Sequence, residues 1–355
     1  MRNPIRVLVL GTGQMGSGIA RLVLEKPGLE LVGAYGKRAH RVGIDLGQAI
    51  GLDRKLGIPI SANLDRLIEE TQPEIAIQAT CSTANDAQLE ISTLIQQGVN
   101  VISIAEEMAF PQCQSPAIAE SLHGQATAHG VSILGTGINP GFVLDLLIIT
   151  LSGVCTAIQS IAAKRINDLS PYGHSVLTTQ GVGLTPEAFR EGVRNGTVFG
   201  HFGFTESLHM IAKAIGWEIE RVEETKEPII SQVKRETAFI TVEPGEVAGC
   251  YHTAVAYVEG REAISLIHPQ QVLPQLEGVE TGDFIEIKGT PDIQLGGSPE
   301  IPGGTGTMAL AVNMIPHVLK APPGLHSMAD LPVPSAMLAD ARTFLPEELI
   351  EVQHD

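Results

Sequence analysis

The sequence predicts an α/β protein with two domains, a doubly wound parallel sheet followed by an α+β domain with a large mixed sheet. The chain has 355 residues, which is too long for one ordinary compact domain. Its first third alternates short apolar, β-branched runs with stretches of helical periodicity, whereas later strands are longer and alternate in polarity. With 43% apolar residues, the chain can fill a sizeable core.

The first domain is predicted to span residues 1–137. Apolar runs predict parallel strands, and the periodic segments between them predict helices. The strands are expected at 6–10, 29–34, 75–79, 99–104 and 131–135, and the helices at 15–25, 64–70, 88–97 and 116–128.

The second domain is predicted to span residues 138–304 and to serve substrate binding and dimerisation. After a short helix at 142–151, alternating segments predict the strands of a mixed sheet at 158–166, 235–242, 251–258, 263–268 and 283–287. A helical pattern at about 305–320 is expected to pack back on the first domain, and 321–355 is expected to be an irregular tail.

Charge and cysteine content exclude several classes of protein. The net charge of -17 argues against a nucleic-acid partner. The four cysteines have neither disulfide-framework nor metal-ligand spacing, so no metal site is predicted. No export signal or membrane-spanning run is recognisable, and we expect a cytoplasmic protein without membrane contact.

A glycine-rich segment after the first predicted strand predicts a dinucleotide site. It reads Gly11-Thr12-Gly13-Gln14-Met15-Gly16 and opens a helix. In a Rossmann domain the first glycine permits the turn, the second admits the pyrophosphate and the third allows close helix packing. A structural turn without a ligand is the alternative.

The end of the second strand is where an NAD enzyme would carry an acid for the ribose hydroxyl. Here Lys37 and Arg38 stand instead, which favours NADP(H), with NAD(H) also possible. An ordinary solvated basic turn is the alternative. Thr80, Cys81 and Ser82, directly after another strand, are further cofactor-binding candidates.

Glu106 and Glu107 follow the predicted strand at 99–104, at the edge of the sheet where ligands bind. Sugar and inositol dehydrogenases of similar architecture have Glu-Lys-Pro here, whereas this chain has Glu-Glu-Met. A carboxylate can stabilise an iminium ion and accept a proton, which favours amine oxidation. An exposed acidic helix start is the alternative.

Several motifs together resemble the 2,4-diaminopentanoate dehydrogenase family, which includes the native amine dehydrogenases and has a dihydrodipicolinate reductase-like N-terminal domain. Besides the glycine segment they are 101–107, 135–142, 172–173, 179–183 and 323–325. The resemblance implies a homodimer and the reversible conversion of an amine to a ketone or aldehyde plus ammonia. It also implies a catalytic glutamate, for which we favour Glu106, with Glu107 in reserve.

The same resemblance suggests residues for the amine substrate. They are Asn139, Pro140, Gly141, Phe142, Arg165, Asn167, Tyr172, His174 and His268. Arg165 could clamp a substrate carboxylate or be a surface arginine. The chain lacks an acid that the family usually carries near Gly304, which leaves the substrate open. A dihydrodipicolinate reductase-like imine reductase and a catalytically inactive NAD(P)-binding protein are the alternatives.

Overall fold

The computed structural model describes residues 3–346, and the chain folds into two compact units. The first unit comprises residues up to Phe142 and from Gly303 onward, and the second comprises Val143–Pro302.

The first unit is built on a parallel sheet. Its elements up to residue 135 are β1 (Ile5–Leu10), α1 (Gln14–Glu25), β2 (Leu29–Tyr35), α2 (Leu46–Ala49), β3 (Ile60–Ser61), α3 (Leu64–Thr71), β4 (Ile75–Gln78), α4 (Ala84–Gln96), β5 (Asn100–Ser103), α5 (Pro116–His129) and β6 (Ser132–Gly135). The strands are almost wholly buried, because helices cover both faces of such a sheet. Leu8, Ile91 and Ile133 are among the residues of its core.

The second unit is built on a mixed sheet of six strands. Its elements are α6 (Leu146–Ser152), β7 (Ala157–Asp168), α7 (His174–Thr179), α8 (Pro186–Asn195), α9 (Phe204–Ile215), β8 (Arg221–Ile230), β9 (Arg235–Glu236), β10 (Thr241–Val242), β11 (Val247–Val258), β12 (Arg261–Gln271), β13 (Gly282–Thr290) and β14 (Ile293–Gly297). The strand order is β14-β13-β7-β12-β11-β8, in which only β7 and β12 pair in parallel. The predicted fold class is confirmed.

The chain then returns to the first unit through α10 (Gly303–Asn313), α11 (Ile315–Lys320) and β15 (Gly324–His326). Helix α10 packs against α1, where Met308 approaches Gly18. Strand β15 pairs in parallel with β6 and completes the order β15-β6-β5-β4-β1-β2-β3. Residues 321–355 were expected to be an irregular tail, and this is wrong at 324–326, because three residues are enough to pair with β6 as an edge strand. The last part of that predicted tail, 347–355, lies outside the described residues.

The predicted strand at 235–242 is also wrong. It is a small two-stranded ribbon, β9 with β10, outside the large sheet. Arg235 is fully buried and its guanidinium binds Glu277 and the carbonyl oxygen of Val272, so this segment does not follow strand alternation. One edge strand of the large sheet is instead β8, which was not predicted because its many charged residues obscure the alternation of a strand. Helices α7, α8 and α9 were not predicted, and the helix expected at 142–151 begins at Leu146, after the capping residue Asp145.

Candidate active site

The glycine-rich segment forms a tight turn between β1 and α1. Gly11 has a φ of +102°, and a Cβ there would lie 2.4 Å from the carbonyl oxygen of Ala79. A Cβ on Gly16 would lie 2.0 Å from the carbonyl oxygen of Gly11. These two glycines are therefore required by the fold itself.

Gly13 differs from its two neighbours, because a Cβ there would have nothing within 4 Å. Its φ of -77° also suits any residue. No side chain caps the helix that follows, so the backbone N–H groups at the start of α1 can bind an anion. Open space at the second glycine fits the approach of a pyrophosphate, and the residues present therefore fit a dinucleotide.

The basic turn after β2 is organised differently from the prediction. Lys37 lies 2.9 Å from a carboxylate oxygen of Glu90, a residue of α4, and 5.8 Å from the centre of the Tyr35 ring. Arg38 is exposed and forms no salt bridge with a carboxylate in residues 3–346. Arg41, which the sequence reasoning missed, donates to the carbonyl oxygen of Thr12 in the glycine turn.

The segment after β4 is a network of polar groups. Gln78 is fully buried, accepts from the Ser103 hydroxyl at 2.5 Å and donates to the Thr80 hydroxyl at 2.8 Å. Burial raises the pKa of the Cys81 thiol, which is therefore protonated at neutral pH. Thr80 also donates to Glu90, so the segment is tied to α4.

The two adjacent glutamates after β5 have different surroundings. They open a 3₁₀ turn, Glu106–Ala109. A carboxylate oxygen of Glu107 accepts from the backbone nitrogen of Ala84 at 2.8 Å, which caps the start of α4. The Glu107 side chain is thus fixed against the start of α4 and supports the fold.

Glu106 has no such anchor to a helix. Burial raises the pKa of its carboxyl to about 7, although the Ser82 hydroxyl and a backbone hydrogen bond act to lower it. The nearby Glu107 charge raises it a little further. Near neutral pH this carboxyl can therefore both take up and release a proton, which is what acid–base catalysis needs.

The loop after β6 packs closely against the turn that carries Glu106. A Cβ on Gly135 would lie 1.7 Å from the carbonyl oxygen of Met108. Gly141 has a φ of +125° and would place a Cβ 2.5 Å from the backbone of Gly137. Pro140 and Gly141 are buried and shape this loop, whereas Asn139 and Phe142 are partly exposed.

The second unit gathers three predicted residues and two missed ones on one face of its sheet. Each is largely buried: Arg165, Asn167, His201, His252 and His268. His201 packs edge-on against His268 with ring centroids 4.7 Å apart, and its backbone nitrogen donates to Nδ1 of His252 at 3.0 Å. Burial lowers the pKa of His201 to about 3 and that of His268 well below its usual value, so both are neutral. No sequence motif marks His201 and His252.

Arg165 is 2% exposed, so its interpretation as a surface arginine is wrong. Its guanidinium lies 2.5 Å from Asp283 and donates to the carbonyl oxygen of Ile301 at 2.6 Å. An internal carboxylate therefore already balances the charge that was expected to clamp a substrate. By contrast, the buried Oδ1 of Asn167 has no hydrogen-bond donor within residues 3–346.

Tyr172 and His174 are the other two predicted residues of the second unit. Tyr172 packs on an apolar core around Leu177 and Val272, and His174 is an exposed residue at the start of α7. No group of His, Cys, Asp and Glu side chains in the described part of the chain is arranged to hold a metal ion. Within the same residues, no helix is long and apolar enough to cross a membrane.

Comparison with known proteins identifies relatives for both parts of the chain. The model of the dihydrodipicolinate reductase N-terminus matches residues 5–104, and the model of the 2,4-diaminopentanoate dehydrogenase C-terminal domain matches residues 142–347. The 2,4-diaminopentanoate dehydrogenase of Acetoanaerobium sticklandii is 42% identical over 97% of this chain and 98% of its own length.

Two amine dehydrogenases are also similar. That of Streptomyces virginiae is 25% identical over 94% of this chain and 98% of its own. The structure of the enzyme from Mycobacterium smegmatis superposes with a TM-score of 0.84 at 29% identity, covering 93% of this chain and 97% of that one. The protein is therefore an oxidoreductase with a Rossmann-type first unit, and it belongs to the 2,4-diaminopentanoate dehydrogenase family.

Proposed function

We propose that this protein is an NADP(H)-preferring amine dehydrogenase in which Glu106 is the catalytic residue. The observation that supports this most is the contrast between the two glutamates. Glu107 caps α4, whereas burial raises the pKa of Glu106 to about 7, into the range of an acid–base catalyst. The carboxyl pair also argues against a protein that has kept its fold and lost its chemistry.

The overall reaction converts a protonated amine, NADP⁺ and water to a ketone or aldehyde, an ammonium ion, NADPH and a proton. A bound nicotinamide cofactor would supply the hydride acceptor. The ionised Glu106 carboxylate would stabilise the iminium cation derived from the amine and accept a proton from the water that attacks it. In the amination direction the protonated carboxyl returns that proton.

The cofactor preference is supported by the turn after β2, which has Lys37 and Arg38 where an NAD enzyme would carry an acid. Arg41 adds a further cation beside Thr12 of the glycine turn. The phosphate of NADP carries close to two negative charges, which favours a site with several cations. NAD(H) would bind through the same glycine turn without these contacts.

For the substrate we favour a small amine with a second polar group, such as a 2,4-diaminopentanoate-like compound. The support is the likeness to the relative from Acetoanaerobium sticklandii together with the buried polar residues of the second unit. Asn167 is a candidate for substrate recognition because its buried Oδ1 is unsatisfied within the described residues, which costs free energy unless a ligand supplies a donor. His268 is a second candidate.

A homodimer is proposed from the family resemblance and from the open face of the mixed sheet. Tyr251 and Phe284 are 38% and 42% exposed, and they share this face with Ile267 and Lys164. A second copy would cover these aromatic rings. Light scattering should give twice the chain mass for the wild type and a smaller mass for Phe284→Asp, and a monomeric wild type would refute this assembly.

The experiment that tests the function measures NADPH oxidation with 2-amino-4-oxopentanoate, small ketones and aldehydes, with and without ammonia. We expect an ammonia-dependent rate with at least one of these carbonyl compounds. A rate that does not require ammonia would favour an imine or carbonyl reductase of the same fold, and no rate with any of them would refute the proposal.

A further inference from the structure

Helix α4 carries a buried carboxylate on a face that is otherwise apolar. Glu90 is 4% exposed, and its helical neighbours Ala87, Ile91 and Leu94 are fully buried. A glutamate is almost never buried in this way without partners that balance its charge. The contacts of Glu90 must therefore balance its charge.

Those contacts come from the predicted cofactor site. The carboxylate lies 2.9 Å from the ammonium group of Lys37, accepts from the Thr80 hydroxyl and lies 3.3 Å from the amide nitrogen of Gln78. The hydrogen bond to Glu90 raises the pKa of Lys37, so its ammonium group keeps its charge at neutral pH. The ion pair joins the end of β2 to α4.

The Lys37–Glu90 ion pair affects which of the three cations near β2, namely Lys37, Arg38 and Arg41, can bind an anionic ligand. The charge of Lys37 is balanced by Glu90, and its ammonium group is held above the Tyr35 ring. Arg38 is exposed and has no carboxylate partner in residues 3–346, and Arg41 lies against Thr12. An anionic ligand at this turn would therefore draw mainly on the two arginines, while the Glu90 carboxylate partly repels it.

We propose that Glu90 is a positioning residue that moderates the preference for NADP over NAD by withholding Lys37 from the 2′-phosphate. Arg38 then carries the main contact with this phosphate, through the bidentate geometry that a guanidinium allows. This inference rests on the proposed binding of a nicotinamide cofactor at the glycine turn. It does not depend on which amine is oxidised.

The test is calorimetric titration of the whole protein with NADP⁺ and with NAD⁺, which needs no turnover. In Glu90→Gln, whose side chain keeps its shape and can still accept from Thr80, we expect NADP⁺ to bind about two- to fivefold more tightly, as for one partly exposed ion pair. The Kd for NAD⁺ should change by less than about twofold. Glu69→Gln removes an exposed carboxylate from α3 of the same unit and is the matched control, with no change in either Kd.

A double substitution shows whether Glu90 acts through Lys37. The gain for NADP⁺ should disappear when Glu90→Gln is combined with Lys37→Ala. Lys37→Ala alone should weaken NADP⁺ by less than about threefold, and Arg38→Ala by about tenfold or more. An equal gain with and without Lys37, no gain in Glu90→Gln, or equal losses in Lys37→Ala and Arg38→Ala would each overturn the inference.

The wild type separates this inference from the proposed function. If it binds neither cofactor, the proposed function itself fails. If it binds NADP⁺ and oxidises NADPH in the presence of ammonia, but its NADP⁺/NAD⁺ ratio is unaffected by Glu90→Gln, only the role of Glu90 is refuted. A thermal midpoint of Glu90→Gln near that of the wild type confirms that the binding change does not come from unfolding.

Discussion

The carboxylate of Glu107 accepts a hydrogen bond from the backbone nitrogen of Ala84, with 2.8 Å between the two atoms. This contact satisfies one of the N–H groups that a helix start leaves without a partner. It shows that Glu107 supports α4, and for this reason the proposed catalytic role is given to its neighbour, Glu106. One backbone contact thus distinguishes the surroundings of two adjacent, identical residues.

Replacing Glu107 tests that division. Glu107→Ala should lower the free energy of unfolding by about 1 kcal/mol, because α4 loses a cap, while kcat stays within about tenfold of the wild type. Glu107→Gln keeps an acceptor oxygen and should be closer to the wild type in stability. Thermal unfolding and steady-state kinetics measure both, and an inactive but fully stable Glu107→Ala would show that the roles are reversed.

Glu106 should make stability depend on pH. Its pKa is about 7 in the folded chain and 4.5 without burial, so the folded state is penalised once the carboxyl must ionise. Relative to the wild type, Glu106→Gln should therefore gain stability as the pH rises from 4.5 to 7. The gain is about 3 kcal/mol above pH 7 and vanishes below pH 4.5. A difference in thermal midpoint that does not change between pH 5 and pH 8 would contradict the buried carboxyl.

The same ionisation should appear in the kinetics. In the proposed mechanism Glu106 is the base for deamination, so kcat/KM should rise with pH and level off above about 7. The profile of kcat/KM against pH measures this directly. A profile that stays flat from pH 5.5 to pH 8.5 would exclude Glu106 as the base.

The glycine turn offers a comparison between a glycine that the fold needs and one that the cofactor needs. Gly16→Ala would force a Cβ to within 2.0 Å of a carbonyl oxygen and should cost several kcal/mol or prevent folding. Gly13→Ala meets no atom within 4 Å, so its stability should change by less than about 0.5 kcal/mol. Calorimetry should nevertheless show NADP⁺ binding to Gly13→Ala at least about tenfold more weakly. Unchanged binding would place the pyrophosphate elsewhere.

The buried pair of Arg165 and Asp283 should be important for the stability of the second unit. Asp283→Ala leaves a buried guanidinium without its carboxylate and should cost about 3 to 5 kcal/mol. Glu70→Gln, which breaks the exposed pair with Arg66 on α3, is the control and should cost less than about 0.5 kcal/mol. Equal urea midpoints for the two variants would mean that Asp283 does not compensate the buried charge.

The sequence was sufficient to predict the fold class because the apolar patterns of both strands and helices are strong in it. The apolar runs of β1, β4 and β5 predict a parallel sheet, and the glycine turn after β1 is typical of a dinucleotide-binding domain. Strand β8 was missed because Glu223, Glu224 and Lys226 lie on an edge strand, where one side of the backbone faces solvent. Short β15 gave too little pattern to recognise.

The candidate site shows a similar division. Residues directly after strands, such as Glu106 and Ser82, could be named as candidates because ligands bind at that edge of the sheet. The contacts of Glu90, Arg41, His201 and His252 could not be predicted, because each depends on segments distant in the chain. A buried acid among the apolar positions of α4 was the one available signal for Glu90.

The measurement closest to the central claim compares wild type and Glu106→Gln in ammonia-dependent NADPH oxidation, with the Kd for NADP⁺ measured on the same preparations. We predict that kcat falls by at least about 100-fold in Glu106→Gln, as expected for loss of an acid–base group, while the Kd changes by less than about threefold. A Glu106→Gln variant with wild-type kcat would contradict the assignment of Glu106 as the catalytic residue.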